Sequence, residues 1–237
     1  MKILQNSFNQ YLNKNYFFEK KPSIAVAVSG GPDSMCLIYL LKNWIDINKG
    51  NLVALIIDHQ LRKESKEESY LIKKYLLKNK ISTKIIKVNK KLVIKKSMKE
   101  ARENRYEKLI KYCNRKNIFH LFLAHHYDDN IETFLIRKLS GSNFQGLRGM
   151  QYKSINNSIQ ILRPLLSYTK KEILEFNLIN KIFYLNDPSN LNTKYTRVAL
   201  RNFLNKNKSL HQKIKKDFEK IEKYYPIYLQ MVYEIFN

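Results

Sequence analysis

Residues 24–34 have the sequence IAVAVSGGPDS, which is the clearest indication of the fold class in the chain. The apolar run at 24–28 is typical of a short strand that is buried on both faces of a parallel sheet. Residues 35–44 follow with the apolar spacing of a helix. Between strand and helix, Gly30 and Gly31 permit unusual backbone dihedrals and the close approach of a ligand to the main chain. The stretch therefore predicts a strand, a glycine turn and a helix, which is the repeating unit of α/β proteins.

Strand-like and helical segments continue to alternate after this unit. Further strands are predicted at residues 52–57 (LVALII), 83–88 (TKIIKV) and 118–124 (IFHLFLA), with helices at 64–77, 97–114 and 131–139. A strand at 159–163 and a helix at 170–176 are weaker candidates. The alternation predicts a doubly wound, mostly parallel sheet with right-handed crossovers. Strand signals stop near residue 185, so we expect an α/β domain over residues 1–185 and a short helical extension over residues 186–237.

Length and cysteine content limit the class of protein. A chain of 237 residues suffices for one α/β domain with a substantial core. Cys36 and Cys113 form no CxxC pair, which argues for a reducing compartment and against a cysteine-based metal site. No apolar run reaches the roughly 18 residues that span a bilayer, and the N-terminus lacks a signal-peptide pattern. We therefore expect a cytoplasmic protein with no membrane partner.

The charge balance favours a polyanionic partner. The chain has 44 Lys and Arg residues against 20 Asp and Glu residues, a formal net charge of +24. Such an excess attracts nucleic acid through its long-range field. Lys, Asn and Ile are all abundant, however, and a coding bias toward A and T would add solvated lysines without any function. Charge alone leaves both interpretations open.

The hexapeptide SGGPDS, Ser29 to Ser34, has the features of a phosphate-binding loop. It follows a strand at the carboxyl edge of the predicted sheet, where ligands of α/β proteins bind. The amides of Gly30 and Gly31 can approach phosphate oxygens, and the N-terminal dipole of the next helix favours an anion. The loop lacks the GK[ST] ending of a Walker A motif and is not GxGxxG. The alternative is an ordinary strand–turn–helix with a serine N-cap.

Polar residues also follow the second predicted strand, at Asp58 and His59. Its carboxyl end lies at the same sheet edge as the glycine loop if the two strands are neighbours. Asp58 and His59 are then expected near a bound nucleotide. The alternative is that Asp58 caps a turn.

The fourth predicted strand leads into carboxylates at Asp129 and Glu132. Their spacing of three places both on one face of a helix. Carboxylates near a triphosphate hold Mg²⁺ or orient a cationic substrate. A zinc site built on His125 and His126 is the less favoured alternative, because adjacent strand residues point in opposite directions.

Two arginines on the long helix at 97–114 share a face, since Arg102 and Arg105 are three residues apart. They can present two guanidinium groups to a ligand. Spacing alone favours the alternative, which is pairing with Glu103 or Glu107 within the helix.

Seven segments taken together resemble those of the tRNA(Ile)-lysidine synthases. In chain order they are SGGPDS, IDHQLR followed by ES, EARENRY, LAHHYDDNIET, GLRGM (146–150), RPLL (163–166) and DPSN (187–190). This family belongs to the N-type ATP pyrophosphatases, whose phosphate loop has the pattern SGGxDS. The resemblance covers roughly residues 20–205 in the order and spacing of the family. It implies an adenine nucleotide α-hydrolase-like fold.

The resemblance also implies a reaction. ATP would adenylate the C2 oxygen of the wobble cytidine in tRNA(Ile) with a CAU anticodon, releasing diphosphate. The amine of free L-lysine would then displace AMP and form lysidine, which changes codon specificity from AUG to AUA. The implied cofactors are ATP and Mg²⁺, and the implied enzyme is a carbon–nitrogen ligase.

Residue roles follow from the matching positions of the motifs. The resemblance assigns ATP binding to Ser29, Gly30, Gly31, Pro32, Asp33, Ser34, Asp58 and His59. It assigns catalysis to Asp33, Asp129, Arg105 and Glu132, with Asp33 and Asp129 holding Mg²⁺ or the incoming lysine. It assigns tRNA binding to Arg163, Asp187, Asn190, Arg197 and Arg201.

The chain departs from the family pattern in two places. Family members usually carry Arg-Gly-Ser-Gly where this chain has Ser140, Gly141, Ser142 and Asn143, so the role of this loop is left open. Many members also carry C-terminal domains that hold the tRNA. Either the tRNA grip is reduced here, or the excess lysines compensate for it. The tyrosine-rich final helices leave a homodimer open.

The same fold also occurs in other enzymes that use ATP. Thiolases of this type rely on paired cysteines, and amide-forming synthetases need a glutaminase domain; the chain has neither. The main alternative is a catalytically idle RNA-binding protein.

Overall fold

The computed structural model describes residues 3, 5–58, 64–87, 98–186 and 196–236. The chain divides into two compact units. The first comprises Met1–His126 and Tyr152–Asn186, and the second comprises Tyr127–Gln151 and Asp187–Asn237. The second unit thus also contains residues that the sequence-based division assigned to the α/β domain.

The described residues of the first unit form a six-stranded sheet. Its strands are β1 (Ser23–Val28), β2 (Asn51–Asp58), β3 (Ser82–Lys87), β4 (His120–Phe122), β5 (Lys153–Asn156) and β6 (Ile159–Leu162). The spatial order is β3-β2-β1-β4-β6-β5, and every neighbouring pair is parallel except β5 with β6. The predicted doubly wound, mostly parallel sheet is confirmed. The strand order reverses at β1, so the chain that leaves β1 emerges at the switch point of the sheet.

Both units contain helices within the described ranges of the chain. In chain order they are α1 (Gln5–Asn15), α2 (Pro32–Ile47), α3 (Glu64–Lys78), α4 (Met98–Arg115), α5 (Tyr127–Leu139), α6 (Phe144–Leu147), α7 (Lys170–Ile179), α8 (Thr196–Lys206) and α9 (Lys208–Phe236). A 3₁₀ turn, Pro164–Ser167, follows β6.

The sheet is covered on both faces. Side chains of β1 alternate between two cores, with Val26 and Val28 in one and Ala25 in the other. The first core also contains Trp44 of α2, and the second contains Cys113 of α4. Burial on both faces explains why β1 is a continuous apolar run rather than an alternating one.

Among the elements that differ from the sequence-based expectation are β4, α1 and β5. Strand β4 pairs with β1 and β6 only over His120–Phe122, although an apolar run at 118–124 was predicted as the strand. Helix α1 was not predicted because it is largely polar and buries only Phe8 and Leu12. Strand β5 was not predicted either, because its four residues are mostly exposed and antiparallel pairing with β6 is what orders them.

The second unit has its own core between α5, α8 and α9. Beside it, the loop at residues 146–150 is held by the buried side chain of Asn130. The Asn130 amide donates to the Met150 carbonyl (3.1 Å), and the Met150 N–H donates to Asn130 Oδ1 (2.6 Å). The Arg137 guanidinium donates to the carbonyls of Gly146 (2.6 Å) and Gly149 (3.2 Å). The loop is therefore fixed by side chains of α5.

Gly149 and Gly141 allow a matched test of this anchoring. Both are left-handed, with φ of +70° and +68°, but a Cβ on Gly149 would lie 2.3 Å from Asn130 Oδ1, whereas one on Gly141 would meet nothing within 4 Å among the described residues. We expect Gly141→Ala to cost about 1–2 kcal/mol from backbone strain alone. Gly149→Ala should cost roughly 1–3 kcal/mol more, because it displaces a buried hydrogen-bonded amide. Equal losses in urea-unfolding free energy would contradict the anchoring role of Asn130.

Candidate active site

The two glycines of the loop after β1 have different physical roles. Gly30 has φ of +86°, and a Cβ there would lie 2.9 Å from Ile72 Cγ1. Gly31 is the N-cap of α2, with φ −74° and ψ 167°. A Cβ on Gly31 would meet only Ser29 Oγ, at 3.6 Å, among the described residues. Position 30 thus requires glycine, because its backbone is left-handed and because Ile72 of α3 fills the place of a Cβ. Gly31 instead leaves open space in front of the N-terminus of α2.

The two serines shape the loop. Buried Ser34 donates its hydroxyl proton to the Gly31 carbonyl (3.0 Å) and accepts from the Ser29 N–H (3.2 Å). The N–H of Gly31 donates to Ser29 Oγ (3.4 Å). The Ser34 hydroxyl therefore donates within the loop, so its contribution is to the loop's shape. Ser29 is exposed at the loop surface.

Later parts of the first unit brace the loop from outside. The Leu185 N–H donates to the Gly30 carbonyl (2.9 Å), and the side-chain amide of Asn177 on α7 donates to the Pro32 carbonyl (2.9 Å). The first N–H groups of α2 have no partner inside their own helix, and the helix dipole adds positive potential there. The result is a preshaped, open site for an anion.

Asp33, in the first turn of α2, faces two cationic or ionisable groups. Lys170 Nζ lies 2.5 Å from Asp33 Oδ1, and His126 Nε2 lies 3.9 Å from the same oxygen. Asp33 and Lys170 are half-buried, whereas His126 is buried. Lys170 is not among the site residues predicted from the sequence, where it lies 137 positions from Asp33.

The position of Lys170 is set by the start of α7. Thr169 is the N-cap of this helix and forms a capping box with Glu172, in which each side chain bonds the backbone N–H of the other. This S/T-x-x-E pattern is visible in the sequence and fixes where the helix begins. It does not indicate what the next side chain contacts.

The remaining predicted ATP-binding residues lie after β2. Asp58 is buried (3% exposed) and accepts a hydrogen bond from Ser65 Oγ (3.2 Å), as a turn-capping carboxylate would. Its strand neighbours β1 in the sheet, as expected. His59 lies outside the described residues.

Arg105 lies on α4 and is half-buried. Its guanidinium carbon is 6.0 Å from the centroid of the neighbouring Tyr106 ring, at the outer limit of a cation–π contact.

In the second unit, α5 and α8 meet along a polar seam. Arg201 Nε donates to Glu132 Oε1 (2.7 Å), and Arg201 Nη2 lies 4.0 Å from Asp129 Oδ1. One helical turn earlier, Arg197 donates to Thr133 Oγ1 (3.1 Å). The resemblance assigned Asp129 and Glu132 to catalysis, and Arg197 and Arg201 to tRNA binding. The structure brings these four residues together along one seam.

Glu132 is the most deeply buried carboxylate of this cluster, with 2% of the residue exposed. Burial raises its pKa above the usual glutamate value, and the Arg201 guanidinium opposes that shift. Its second oxygen, Oε2, is buried and has no hydrogen-bond partner in the described part of the chain. An additional donor or cation can therefore be accepted there.

The other predicted tRNA-binding residues are placed differently or not described. Arg163 is 8% exposed and donates to Ser154 Oγ (3.1 Å), so its side chain is packed inside the first unit. This packing does not favour the predicted contact of Arg163 with tRNA. Asp187 and Asn190 lie outside the described residues.

The family model of the PP-loop domain matches residues 1–208. This chain belongs to the PP-loop family. We refer to Ser29–Ser34 as the PP-loop, because it has the SGGxDS pattern expected of the phosphate loop.

Curated relatives share more than the loop. The tRNA(Ile)-lysidine synthase of Wolbachia pipientis wMel is 38% identical over 203 residues, which is 85% of this chain and 47% of that protein. The tRNA(Ile)-lysidine synthase of Orientia tsutsugamushi (strain Boryong) is 37% identical over 187 residues, which is 79% of this chain and 42% of that protein. The chain thus spans about half the length of the curated relatives it matches.

The fold also recurs in a solved structure. The U34-tRNA thiolase NcsA from Methanococcus maripaludis superposes with a TM-score of 0.71 at 16% identity, over 92% of this chain and 78% of that one. This similarity supports the architecture of the PP-loop fold.

The donor set around the PP-loop fits a nucleotide with Mg²⁺. No group of three or more His, Cys, Asp or Glu side chains in the described ranges could hold a metal by itself. Mg²⁺ does not require one, because it is usually bound by one or two carboxylates together with substrate phosphates and water. The Asp33 carboxylate beside the open site at Gly31 matches that requirement.

Among the described helices, none is long and apolar enough to cross a membrane.

The raised pKa of Glu132 predicts a specific pH dependence of stability. The folded chain holds this proton more tightly than the unfolded chain, so stability falls as pH rises from the usual glutamate pKa through the higher folded value. Glu132→Gln imitates the protonated form. At pH 7.5 we expect this variant to be more stable than wild type by on the order of 1 kcal/mol, with the difference vanishing near pH 4.

Urea unfolding at several pH values measures this difference. Glu175→Gln, at an exposed site on α7, is the control for removing one negative charge from the chain. A Glu132→Gln variant that is less stable than wild type at pH 7.5 would show that the ion pair with Arg201 outweighs the cost of burial.

Proposed function

We propose that this chain is an ATP-dependent ligase that joins free L-lysine to C2 of the wobble cytidine of tRNA(Ile) with a CAU anticodon, forming lysidine. The observation that carries the proposal is the open, preshaped PP-loop with Asp33 in the first turn of α2. The identity to tRNA(Ile)-lysidine synthases over most of the chain supports the choice of substrate. The net charge of +24 is consistent with an RNA partner in the cytoplasm.

The first unit would bind ATP in this proposal. The amides at the start of α2 would receive phosphate oxygens, in the space that Gly31 leaves open. Asp33 would hold Mg²⁺, which supplies positive charge to the phosphates when it is bound. Attack of the cytidine C2 oxygen on the α-phosphorus would form the adenylated base and release diphosphate.

The second unit would provide the acidic groups for lysine. Asp129 and Glu132 can accept hydrogen bonds from its ammonium group, and the unpartnered Glu132 Oε2 is a vacant acceptor within the described residues. The ε-amine has an ordinary pKa of about 10.4, so it must lose a proton before it attacks C2. A glutamate whose pKa is raised is a better proton acceptor than an ordinary one. The amine would then displace AMP, and Arg197 and Arg201 would keep the cluster neutral or contact RNA.

A catalytically idle RNA-binding protein is the second candidate, and the basic composition is the observation that favours it. Such a protein would bind tRNA through its lysines, with an affinity that falls steeply as salt rises. It would not consume ATP or incorporate lysine. Lysine incorporation therefore separates the two candidates.

Asp33→Asn tests the proposal. We expect the full chain to incorporate labelled lysine into a CAU-anticodon tRNA(Ile) transcript with ATP and Mg²⁺, and the variant to lose on the order of a hundredfold or more in rate. Asp46→Asn is the matched control, because Asp46 lies on the same helix and pairs with Lys42 at its exposed surface. Binding of tRNA without lysine incorporation by the wild-type chain would instead support the idle RNA-binding protein.

A further inference from the structure

Asn177 is a polar residue at a core position of α7. The buried residues of this helix are Ile173, Phe176 and Asn177, and a helix normally places apolar side chains at this spacing. Only 1% of Asn177 is exposed, and its Oδ1 is buried without a hydrogen-bond partner among the described residues. An unpaired buried carbonyl oxygen lowers stability. A buried amide that is only half satisfied therefore needs an explanation other than packing.

The other end of the Asn177 amide reaches the first turn of α2. Its Nδ2 donates to the carbonyl of Pro32, the first residue of that helix, at 2.9 Å. The N-cap of α2 is Gly31, which has no side chain and makes no capping hydrogen bond. Side-chain caps stabilise a first turn, and helix ends without them fray. Asn177 thus holds from α7 a turn that its own N-cap cannot hold.

This bond also fixes the direction of a backbone N–H. In a planar trans peptide the carbonyl and the N–H point in opposite directions. The preceding peptide shows the effect, because the Gly30 carbonyl bonds the Leu185 N–H while the Gly31 N–H points to Ser29 Oγ at the exposed surface of the loop. By the same rule, the bond from Asn177 to the Pro32 carbonyl directs the Asp33 N–H away from α7. Proline has no N–H, so Asp33 supplies the first amide within α2.

We propose that Asn177 is a positioning residue for phosphate binding, which clamps the first turn of α2 and keeps the Asp33 N–H directed at the bound phosphate. This inference rests on the proposed function, because it takes the amides at the start of α2 as phosphate donors. A frayed turn is competent to bind for only part of the time, and the apparent affinity falls by that fraction. The unpaired Oδ1 is then the stability cost of holding an uncapped turn in its binding conformation.

Two substitutions of Asn177 separate binding from stability. Asn177→Leu removes the donor together with the unpaired oxygen, and the Pro32 carbonyl keeps the hydrogen bond of the helix four residues later. Its stability should equal or exceed that of wild type, since an apolar side chain of similar shape replaces a half-satisfied amide. Asn177→Ala removes the same donor but leaves a cavity, so its stability should fall.

Asn180 provides the matched control on the same helix. It is the C-cap of α7, and its side-chain amide donates to the Phe176 carbonyl at 2.9 Å, within its own helix. Asn180→Leu therefore removes an amide-to-carbonyl hydrogen bond of the same length that does not involve the PP-loop.

Calorimetric titration of the full-length chain with Mg²⁺-ATP and with Mg²⁺-diphosphate tests the inference, beside urea unfolding without ligand. We expect Asn177→Leu and Asn177→Ala to raise the Kd of both ligands about three- to tenfold, as the loss of one uncharged hydrogen bond does. The two variants should agree within about twofold in Kd although their stabilities change in opposite directions. Asn180→Leu should bind both ligands within about twofold of wild type.

Three results would overturn the inference. Wild-type affinity of Asn177→Leu would show that the bond to Pro32 does not position the amide. Weak binding by Asn177→Ala alone would show that affinity follows stability, and hence that Asn177 has a packing role. Equal weakening by Asn180→Leu would assign the effect to α7 as a whole. Failure of the proposed function is a separate result, because a chain that binds ATP and diphosphate in this pattern but transfers no lysine would leave this inference intact.

Discussion

The chain must pass from β1, an interior strand of the sheet, into α2 through a left-handed turn at Gly30 whose Cβ position is filled by Ile72 of α3. No residue with a side chain meets both conditions without displacing α3 or straining the backbone. The Gly30 carbonyl also receives the Leu185 N–H, so a segment more than 150 residues later is positioned by the same turn. The turn therefore determines the direction of α2, the open space at Gly31 and the approach of the chain after α7. A site built in this way is shaped before a ligand arrives.

Each unit places a carboxylate under a long, partly exposed cation. In the first unit Lys170 covers Asp33, and in the second unit Arg201 covers the more deeply buried Glu132. A buried carboxylate without a partner would be costly or would bind a proton, which the raised pKa of Glu132 already indicates. The covering cation lowers that cost and keeps the carboxylate able to ionise. Both cations are more than one-third exposed, whereas the carboxylates that they pair with are less exposed.

Local features of the site were predictable from sequence, and long-range contacts were not. The apolar run before Ser29 predicts a buried strand, and the paired glycines and Pro32 predict the turn and the start of the helix. Each of these signals depends only on residues that are neighbours in the sequence. The spacing of Asp129 and Glu132 likewise predicts a shared helical face. The contact between Lys170 and Asp33 depends on how α7 packs beside α2, which no local pattern encodes. Strand β5 could not be predicted for a related reason. Its four residues are ordered by pairing with β6 rather than by their own apolar content.

The fold shared with a tRNA thiolase does not carry thiolase chemistry with it. That protein's structure contains an iron–sulfur cluster, which is held by cysteine thiolates in most proteins. Here Cys36 lies two residues beyond the PP-loop yet is fully buried, and burial raises its thiol pKa far above the usual range. Burial also raises the pKa of Cys113 to about 12, and this thiol packs on the opposite face of the sheet. Burial therefore disfavours the thiolate form of both side chains, which is the form that ligates metals and acts as a nucleophile. The proposed ligation of lysine does not require a thiolate, because its steps are assigned to carboxylate and cationic side chains.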